Sequence, residues 1–199
     1  MNGMYNVIFK RRSVRFFKSD DISKVDMREI LRAGMWAPSA KNRQPWKFIV
    51  VKGESKKEAL ALMEKGIERA EKGEGVLAGS SELYVNARFT LKCMEQAPIL
   101  VFIVNPNGRP LTDTWTTAEK IHELSDVQAI GAAAENIALQ ATSMGYGSLW
   151  IGNIFFAYDE LHKWLGEGEM VLAMSFGIPN HHPVPLARKE EDEVIEVRE

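Results

Sequence analysis

The sequence predicts an α+β or α/β sandwich in which helices carry most of the mass and a small sheet lies between them. Short apolar, β-branched runs alternate with long segments of helical periodicity, and the 199 residues contain neither an internal repeat nor a low-complexity region. Residues 129–141, in the middle of a predicted helix, are apolar around most of its circumference, so other elements must cover that helix. A hydrophobic fraction of 45% is enough for a single domain over residues 1–199.

The first half of the chain carries signals for a helix, two strands and a peripheral segment. Ser23 opens a capping-box pattern, and apolar residues recur at helical spacing until Pro38 forbids continuation, so a helix is predicted between them. Residues 46–51 and 99–104 are apolar and β-branched, and both are predicted to be buried strands. Residues 55–74 alternate charged and apolar residues at helical period, and we interpret them as peripheral.

The second half carries a long helix and two further strands. Ser125 opens another capping-box pattern and Gly145 suits a C-terminal cap, so the helix is predicted to begin and end there. Many of its residues are small, which lets other helices approach closely and indicates a central or subunit-interface position. Residues 147–152 and 170–178 predict strands, and a short helix is predicted near residues 159–165.

Charge and composition exclude several function classes. The formal net charge of −2 and the pI near 6.1 provide no basic footprint for nucleic acid, and neither a secretory signal nor a membrane span is expected in Met1–Arg12. The single cysteine, Cys93, rules out an intrachain disulfide framework, fits a cytoplasmic location and is expected to be buried.

The remaining side chains give three further expectations. The four histidines lack a third ligand at suitable spacing, so no metal site is predicted. The five tryptophans are expected in the core, and residues 179–199 are expected to form an extended tail.

Three guanidinium groups and a hydroxyl group lie close together near the N-terminus, at Arg11, Arg12, Ser13 and Arg15. Guanidinium groups bind phosphate well because they offer planar, charge-assisted donors in pairs. The cluster therefore indicates an anion site, although a solvated basic turn would have the same composition. Arg188 adds a fourth cation if the tail folds back to this segment.

Two further segments have the features of ligand-binding loops. In the first, residues 37–46, two prolines restrain the backbone. Its short polar side chains, Ser39, Asn42 and Gln44, suit a planar heterocycle, and a capping turn is the alternative. In the second, Gly145–Gly152, glycines permit close approach of backbone amides to a ligand, or simply a helix cap before a buried strand.

Together these segments resemble the nitroreductase family. The R-R-S-x-R opening at residues 11–15, the P-S-A-x-N-x-Q-P-W loop at residues 38–46 and the G-x-G-S-L-W-I-G stretch at residues 145–152 occur in the order and spacing of that family. The late Arg188 completes the pattern, which therefore extends over most of the chain. Each motif is moderately specific, and their joint order outweighs the alternatives given for each one.

The resemblance implies a three-layer α/β/α sandwich with a mostly antiparallel central sheet and a long buried helix at a dimer interface. It implies a homodimer with tightly bound FMN at the subunit interface and NAD(P)H as the electron donor. The cofactor contacts that it assigns are Arg11, Arg12, Ser13, Arg15, Pro38, Ser39, Ala40, Asn42, Trp150, Ile151, Gly152 and Arg188. Ala40 stands where family members often carry a second serine, and Leu186 stands where a basic residue is common.

The resemblance also assigns roles within this set. The arginine segment and Arg188 would hold the phosphate and ribityl groups, with Arg15 also near the pyrimidine edge of the ring. Residues 38–42 would contact the flavin of the opposite subunit, and a backbone amide near Gly152 would reach the reactive flavin nitrogen.

The implied function is electron transfer from NAD(P)H to a nitroaromatic, a quinone or a related small acceptor. Donor and acceptor would use one pocket in turn, by ping-pong kinetics, and no catalytic side chain is required because the flavin carries the chemistry. Reductive dehalogenation, enoyl-type reduction, flavin cleavage and non-catalytic flavin binding remain alternatives.

Overall fold

Helices pack on both faces of a four-stranded sheet, which confirms the predicted α+β sandwich. The computed structural model describes residues 3–199, so the first two residues of the Met1–Arg12 stretch lie outside the described residues. The helices are α1 (Gly3–Lys10), α2 (Lys24–Gly34), α3 (Gly53–Glu71), α4 (Ser81–Gln96), α5 (Thr117–Ser143), α6 (Tyr158–Leu165) and α7 (Glu191–Val194). The strands are β1 (Lys47–Val51), β2 (Ile99–Asn105), β3 (Gly147–Ile151) and β4 (Glu169–Gly177), and short 3-10 helices cover Ala40–Asn42 and Asn153–Ala157.

The sheet has the strand order β1-β2-β4-β3, and each neighbouring pair is antiparallel. Strand β2 lies inside the sheet, and all of its residues are buried. Because successive side chains point to opposite faces, Leu100 and Phe102 pack on one side, and Val101 and Ile103 on the other. Strand β1 is an edge strand in which only Val51 is fully buried, so the prediction of two buried strands is wrong for β1. An apolar run predicts a strand without revealing whether a neighbour covers its outer edge.

Two apolar cores lie on the two faces of the sheet. Helices α3, α4 and α6 cover one face, where Met63 and Ile67 are fully buried. Helices α2 and α5 cover the other face, where Ile30 and Ile137 are fully buried. Complete burial of such a side chain contributes about 1.5–3 kcal/mol. The interpretation of residues 55–74 as peripheral is therefore wrong for the inner face of α3, which is part of the core.

Helix α5 begins at Thr117, well before the predicted start at Ser125. Its N-cap is Thr116, whose side chain accepts a hydrogen bond from the Glu119 amide, while the Glu119 carboxylate accepts one from the Thr116 amide at 2.8 Å. The similar pattern at Ser125 lies inside the helix, because such a pattern marks a start only where the preceding residues are not helical. The C-terminal prediction is confirmed, since Gly145 follows the last turn with a φ of +84°.

Most other predicted elements are confirmed. Ser23 caps α2 by accepting a hydrogen bond from the Asp26 amide at 3.0 Å, and β3, β4 and α6 lie within a residue or two of their predicted bounds. Helices α1 and α4 were not predicted, although in α4 the residues Tyr84, Ala87, Leu91 and Met94 recur at helical spacing and pack into the core, whereas α1 has no buried residue. Cys93 is buried, as expected. No helix in residues 3–199 has the length and apolarity needed to cross a membrane.

Candidate functional site

The two ends of the chain meet beside strand β3. Residues 13–18 run as an extended strip between β3 and the start of the tail. On one side, Val14 donates its backbone N–H to the Ser148 carbonyl oxygen at 2.9 Å. On the other side, Lys18 donates to the Ile178 carbonyl oxygen at 2.9 Å. These backbone bonds place the arginine segment and the tail side by side.

A cavity of about 490 Å³ opens between this strip, α1, α5 and the tail. Among the residues that line it are five of the predicted contacts: Arg11, Arg12, Ser13, Arg15 and Arg188. The structure therefore brings together the arginines from both ends of the chain, as the sequence led us to expect. Four guanidinium groups and the carboxylate of Glu135 line the cavity, which gives it an excess of positive charge.

Two of the four arginines of this cavity, Arg11 and Arg12, are held by neighbouring groups. Arg11 Nε lies 2.9 Å from Glu135 Oε1, in the middle of α5. Arg12 Nη1 donates to the carbonyl oxygens of Phe9 at 2.7 Å and of Arg11 at 2.6 Å. In each of these two residues a guanidinium nitrogen is therefore already bound to the protein. This restrains the side chain and reduces the conformational entropy that it would lose when an anion binds.

The loop that contains Pro38–Asn42 has an unusual backbone. Lys41, Asn42 and Gln44 have φ angles of 53°, 54° and 51°, in the left-handed region that residues other than glycine rarely adopt. Ser39 stabilises the loop by accepting a hydrogen bond from the Gln44 amide at 2.9 Å. Such strain persists only where the surrounding structure enforces it, and it is concentrated at functional sites.

This loop lies away from the arginine cavity within one chain. Asn42 and Gln44 line a separate cavity of about 520 Å³ together with Trp36, and no lining residue is shared with the arginine cavity. Pro38 and Ala40 are exposed, and Ser39 is half-buried. One chain alone therefore does not bring the loop and the arginine segment into a common pocket.

The end of β3 presents alternating side chains. Trp150 is 40% exposed, whereas Ile151 is 2% exposed and points into the core, so Ile151 offers only its backbone to a ligand. A Cβ atom placed on Gly152 would meet nothing within 4 Å among the described residues, which leaves open space at the end of the strand. The prediction that the tryptophans lie in the core is wrong for Trp150 and for Trp36, which is 80% exposed.

Sequence reasoning missed several residues near the arginine cavity. Glu135, which pairs with Arg11, is one of the few polar residues in the apolar stretch of α5, and that rarity is the signal that could have identified it. The His181 ring packs edge-to-face on Phe16 at 5.1 Å, and its Nδ1 atom is buried without a hydrogen-bond partner in the described part of the chain.

The described residues offer neither an activated thiol nor a metal centre near this cavity. Burial raises the pKa of the Cys93 thiol, and the opposing effect of the Arg15 charge is smaller, so Cys93 is not an activated nucleophile. Residues 3–199 contain no group of three acidic, histidine or cysteine side chains arranged to hold a metal ion.

The model of the nitroreductase family matches residues 8–178, so the chain belongs to the nitroreductase family. An Archaeoglobus fulgidus protein named "Putative NADH dehydrogenase/NAD(P)H nitroreductase" is 34% identical over 152 residues, which are 76% of this chain and 68% of that protein.

Solved structures show the same fold. A BluB-like flavoprotein from Clostridium difficile 630 is 28% identical with a TM-score of 0.78, and the match covers 100% of both chains. A nitroreductase with bound FMN from Desulfitobacterium hafniense has a TM-score of 0.73 over 100% of both chains, and its 24% identity supports the fold alone. The central antiparallel sheet between helical layers is therefore the nitroreductase fold.

Proposed function

We propose that this protein is an FMN-dependent oxidoreductase that transfers electrons from NAD(P)H to a small acceptor such as a nitroaromatic or a quinone. Family membership and the name of its Archaeoglobus relative support an NAD(P)H-dependent oxidoreductase. The solved relatives named as a flavoprotein and as an FMN-bound nitroreductase support the cofactor. The observation that carries the proposal is the cavity in which arginines from both ends of the chain converge.

The residues of this cavity fit a nucleotide phosphate. A phosphate monoester carries a charge of about −1.5 to −2 at neutral pH and offers three acceptor oxygens. Four guanidinium groups supply donors and more than compensate for Glu135, and Ser13 adds a hydroxyl group. Arg11, Arg12, Ser13 and Arg188 would therefore hold the phosphate and ribityl groups.

The other predicted contacts would orient the ring of the cofactor. When bound, FMN would supply the hydride and electron transfer between NAD(P)H and the acceptor. Arg15 would stabilise negative charge at the pyrimidine edge, and the backbone of Trp150–Gly152 would run beside the ring. No side chain of this set needs to act as a nucleophile or a general base. Donor and acceptor would use the same pocket in turn, which is ping-pong kinetics.

A homodimer would complete the site. The loop at Pro38–Asn42 lies at a separate cavity within one chain, so its contact with the flavin would come from the opposite subunit. Helix α5 exposes Ile121, Leu124 and Val127, and α1 exposes four further apolar side chains, Met4, Tyr5, Ile8 and Phe9. Such apolar surface suits an interface between two copies. The single flavin-binding domain would span residues 1–199, with residues 179–199 as its tail, and would work in the cytosol.

The test begins with the purified protein. We expect a yellow dimer that releases FMN, identified by mass, and that oxidises NADH or NADPH when menadione or nitrofurazone is supplied. A colourless monomer that does not take up added FMN would refute the proposed cofactor. Bound FMN without turnover for any acceptor would refute the oxidoreductase activity while leaving a flavin-binding protein.

A further inference from the structure

The strained loop is fastened to helix α5 at two points. At its start, the end of α2 lies so close to α5 that a Cβ atom on Gly34 would be 2.6 Å from the Ile137 side chain. At its end, the guanidinium group of Arg43 reaches Asp126 of the same helix, and its Nε and Nη2 atoms donate to Asp126 Oδ1 at 3.0 and 2.6 Å. Asp126 and Ile137 are about 16 Å apart along a regular helix, so the segment from Gly34 to Arg43 contacts α5 at two well-separated positions.

The contact at Arg43 is the stronger candidate for controlling the loop. The hydrogen bonds from Gln44 to Ser39 and from Asn42 to Ser39 are local, and they constrain the shape of the loop without fixing its position. The Arg43–Asp126 contact joins residues far apart in the sequence, and it directly follows two of the three left-handed residues. A long-range contact at this place can hold both the strained conformation and its orientation.

The carboxylate of Asp126 is buried, and Arg43 is its main hydrogen-bond donor. Asp126 is 3% exposed, and Arg43 Nη2 also donates to the neighbouring Ser125 Oγ at 3.4 Å. His122, which is exposed, has its Nδ1 atom 3.7 Å from the second oxygen of Asp126. A buried carboxylate that loses its cation is costly, so the protein favours loop conformations that keep Arg43 in place.

We propose that Arg43 and Asp126 are positioning residues that hold the Pro38–Asn42 loop in the conformation in which it contacts the flavin ring. The proposal rests on the proposed function, and it adds two residues that do not line the arginine cavity. The arginine cavity recognises the phosphate, whereas this pair acts on the ring. The two contributions are therefore separable, because riboflavin has the ring and lacks the phosphate.

The test compares Asp126→Asn and Arg43→Lys with the wild type in flavin-stripped full-length dimers. Asp126→Asn keeps the shape and an acceptor oxygen but removes the charge, and we expect the Kd values for FMN and for riboflavin to rise by the same factor, about tenfold. Arg43→Lys keeps the charge but loses the two-nitrogen contact, and a smaller rise in both Kd values is expected. The visible circular dichroism of the bound flavin should change in both variants because the surroundings of its ring change.

A matched control separates positioning from general stability. Arg69 also joins two elements through an acidic partner, and the Arg69–Glu160 side chains are 24% and 8% exposed, against 26% and 4% for Arg43–Asp126. Arg69→Gln should lower the midpoint temperature of thermal unfolding. It should leave the Kd values for FMN and riboflavin and the visible circular dichroism of the bound flavin unchanged.

Three results would overturn the proposal. The first is that Asp126→Asn and Arg43→Lys both keep the Kd values and the visible circular dichroism of the wild type. The second is that Arg69→Gln weakens flavin binding as much as Asp126→Asn and Arg43→Lys do. The third is a wild-type protein that binds neither FMN nor riboflavin, which would refute the proposed function and this inference with it. If Asp126→Asn does not fold, the comparison of Arg43→Lys with the wild type and Arg69→Gln still tests the proposal.

Discussion

The backbone amide of Val14 donates to the carbonyl oxygen of Ser148 across 2.9 Å, and this bond fastens the arginine segment to strand β3. Asn180 donates to the Phe16 carbonyl oxygen at 3.0 Å on the other side of the same strip, so the tail is fastened as well. The charged side chains of Arg11 and Arg188 therefore line one cavity because the backbone brings their segments together. Their mutual repulsion would otherwise separate them.

Gly147 is required for this arrangement. A Cβ atom at this position would lie 2.8 Å from Cβ and Cγ2 of Val14, whose side chain is buried. We expect Gly147→Ala to lower the free energy of unfolding by about 1–3 kcal/mol and to reduce the flavin content of the purified protein. Chemical denaturation and the ratio of visible to ultraviolet absorbance measure the two effects. Gly152→Ala is the stability control, because its Cβ atom meets nothing within 4 Å, and an equal loss of stability there would contradict the argument.

Arg11 and Arg188 should discriminate FMN from riboflavin. A hydrogen bond to a charged group contributes about 1.5–3 kcal/mol, so we expect the double variant Arg11→Ala with Arg188→Ala to weaken FMN binding by about 100-fold or more. Riboflavin binding should change little, because riboflavin carries no phosphate. Fluorescence titration measures both Kd values. Arg198→Ala is the control, since Arg198 pairs with Glu196 at the exposed end of the tail, and unchanged FMN binding in the double variant would refute the phosphate assignment.

Glu135 should oppose the binding of phosphate. Its carboxylate lies in the same cavity, 2.9 Å from Arg11, and it offsets part of the positive charge. We expect Glu135→Gln to tighten FMN binding a few-fold, about 0.5–1 kcal/mol, because this pair is partly exposed and solvent screens it. Titration at low and high salt should show a larger gain at low salt. Weaker FMN binding in this variant would mean that Glu135 orients Arg11 more than it competes with the phosphate.

Gly66 allows α3 to approach the 3-10 helix at Asn153–Ala157. A Cβ atom on Gly66 would lie 2.3 Å from the Cα atom of Ala157, and backbone atoms cannot move aside as a flexible side chain can. We expect Gly66→Ala to lower the free energy of unfolding by about 3 kcal/mol. Lys65→Ala, at the adjacent exposed position of α3, should change stability by less than about 0.5 kcal/mol in urea denaturation. Similar stabilities of the two variants would show that the helices can separate without cost.

Glu169 should make stability depend on pH. The Tyr158 hydroxyl donates to Glu169 Oε2 at 2.9 Å, and both residues are buried. Burial raises the pKa of Tyr158 to about 12, so this hydroxyl stays protonated at neutral pH. Burial also raises the pKa of Glu169 above its ordinary value of 4.5, although Tyr158 and the charge of His162 lower it.

The sign of the effect follows from the direction of that shift. The folded protein holds the Glu169 proton more tightly than the unfolded chain, so this group reduces stability as pH rises from about 4.5 through its folded-state pKa. Glutamine has no charge and keeps an acceptor for Tyr158. As pH rises above about 4.5, the wild type should therefore lose stability relative to Glu169→Gln, so the free energy of unfolding of the variant should increase relative to that of the wild type. Parallel pH profiles in urea denaturation would contradict this prediction.

Short-range signals account for the parts of the fold that were predicted correctly. The Ser23 cap, the apolar run of β2 and the glycine at Gly145 each act within a few residues, where side-chain spacing and backbone preference decide the conformation. The same kind of signal misled at Ser125, because a four-residue pattern does not show whether a helix is already under way. Helix α4 was missed although Tyr84, Ala87, Leu91 and Met94 recur at helical spacing, so its signal was present in the sequence.

The sequence by itself determined the order of the strands and helices along most of the chain, the family, and the residue types offered to a phosphate. Only the tertiary structure decided that β1 is an edge strand, that Arg11 and Arg188 share a cavity, and that Arg43 and Asp126 hold the strained loop. Spacing along a chain reports neighbours within about two helical turns, whereas these relationships join segments far apart in sequence. Packing of α5 against the loop and backbone pairing beside β3 bring those segments together.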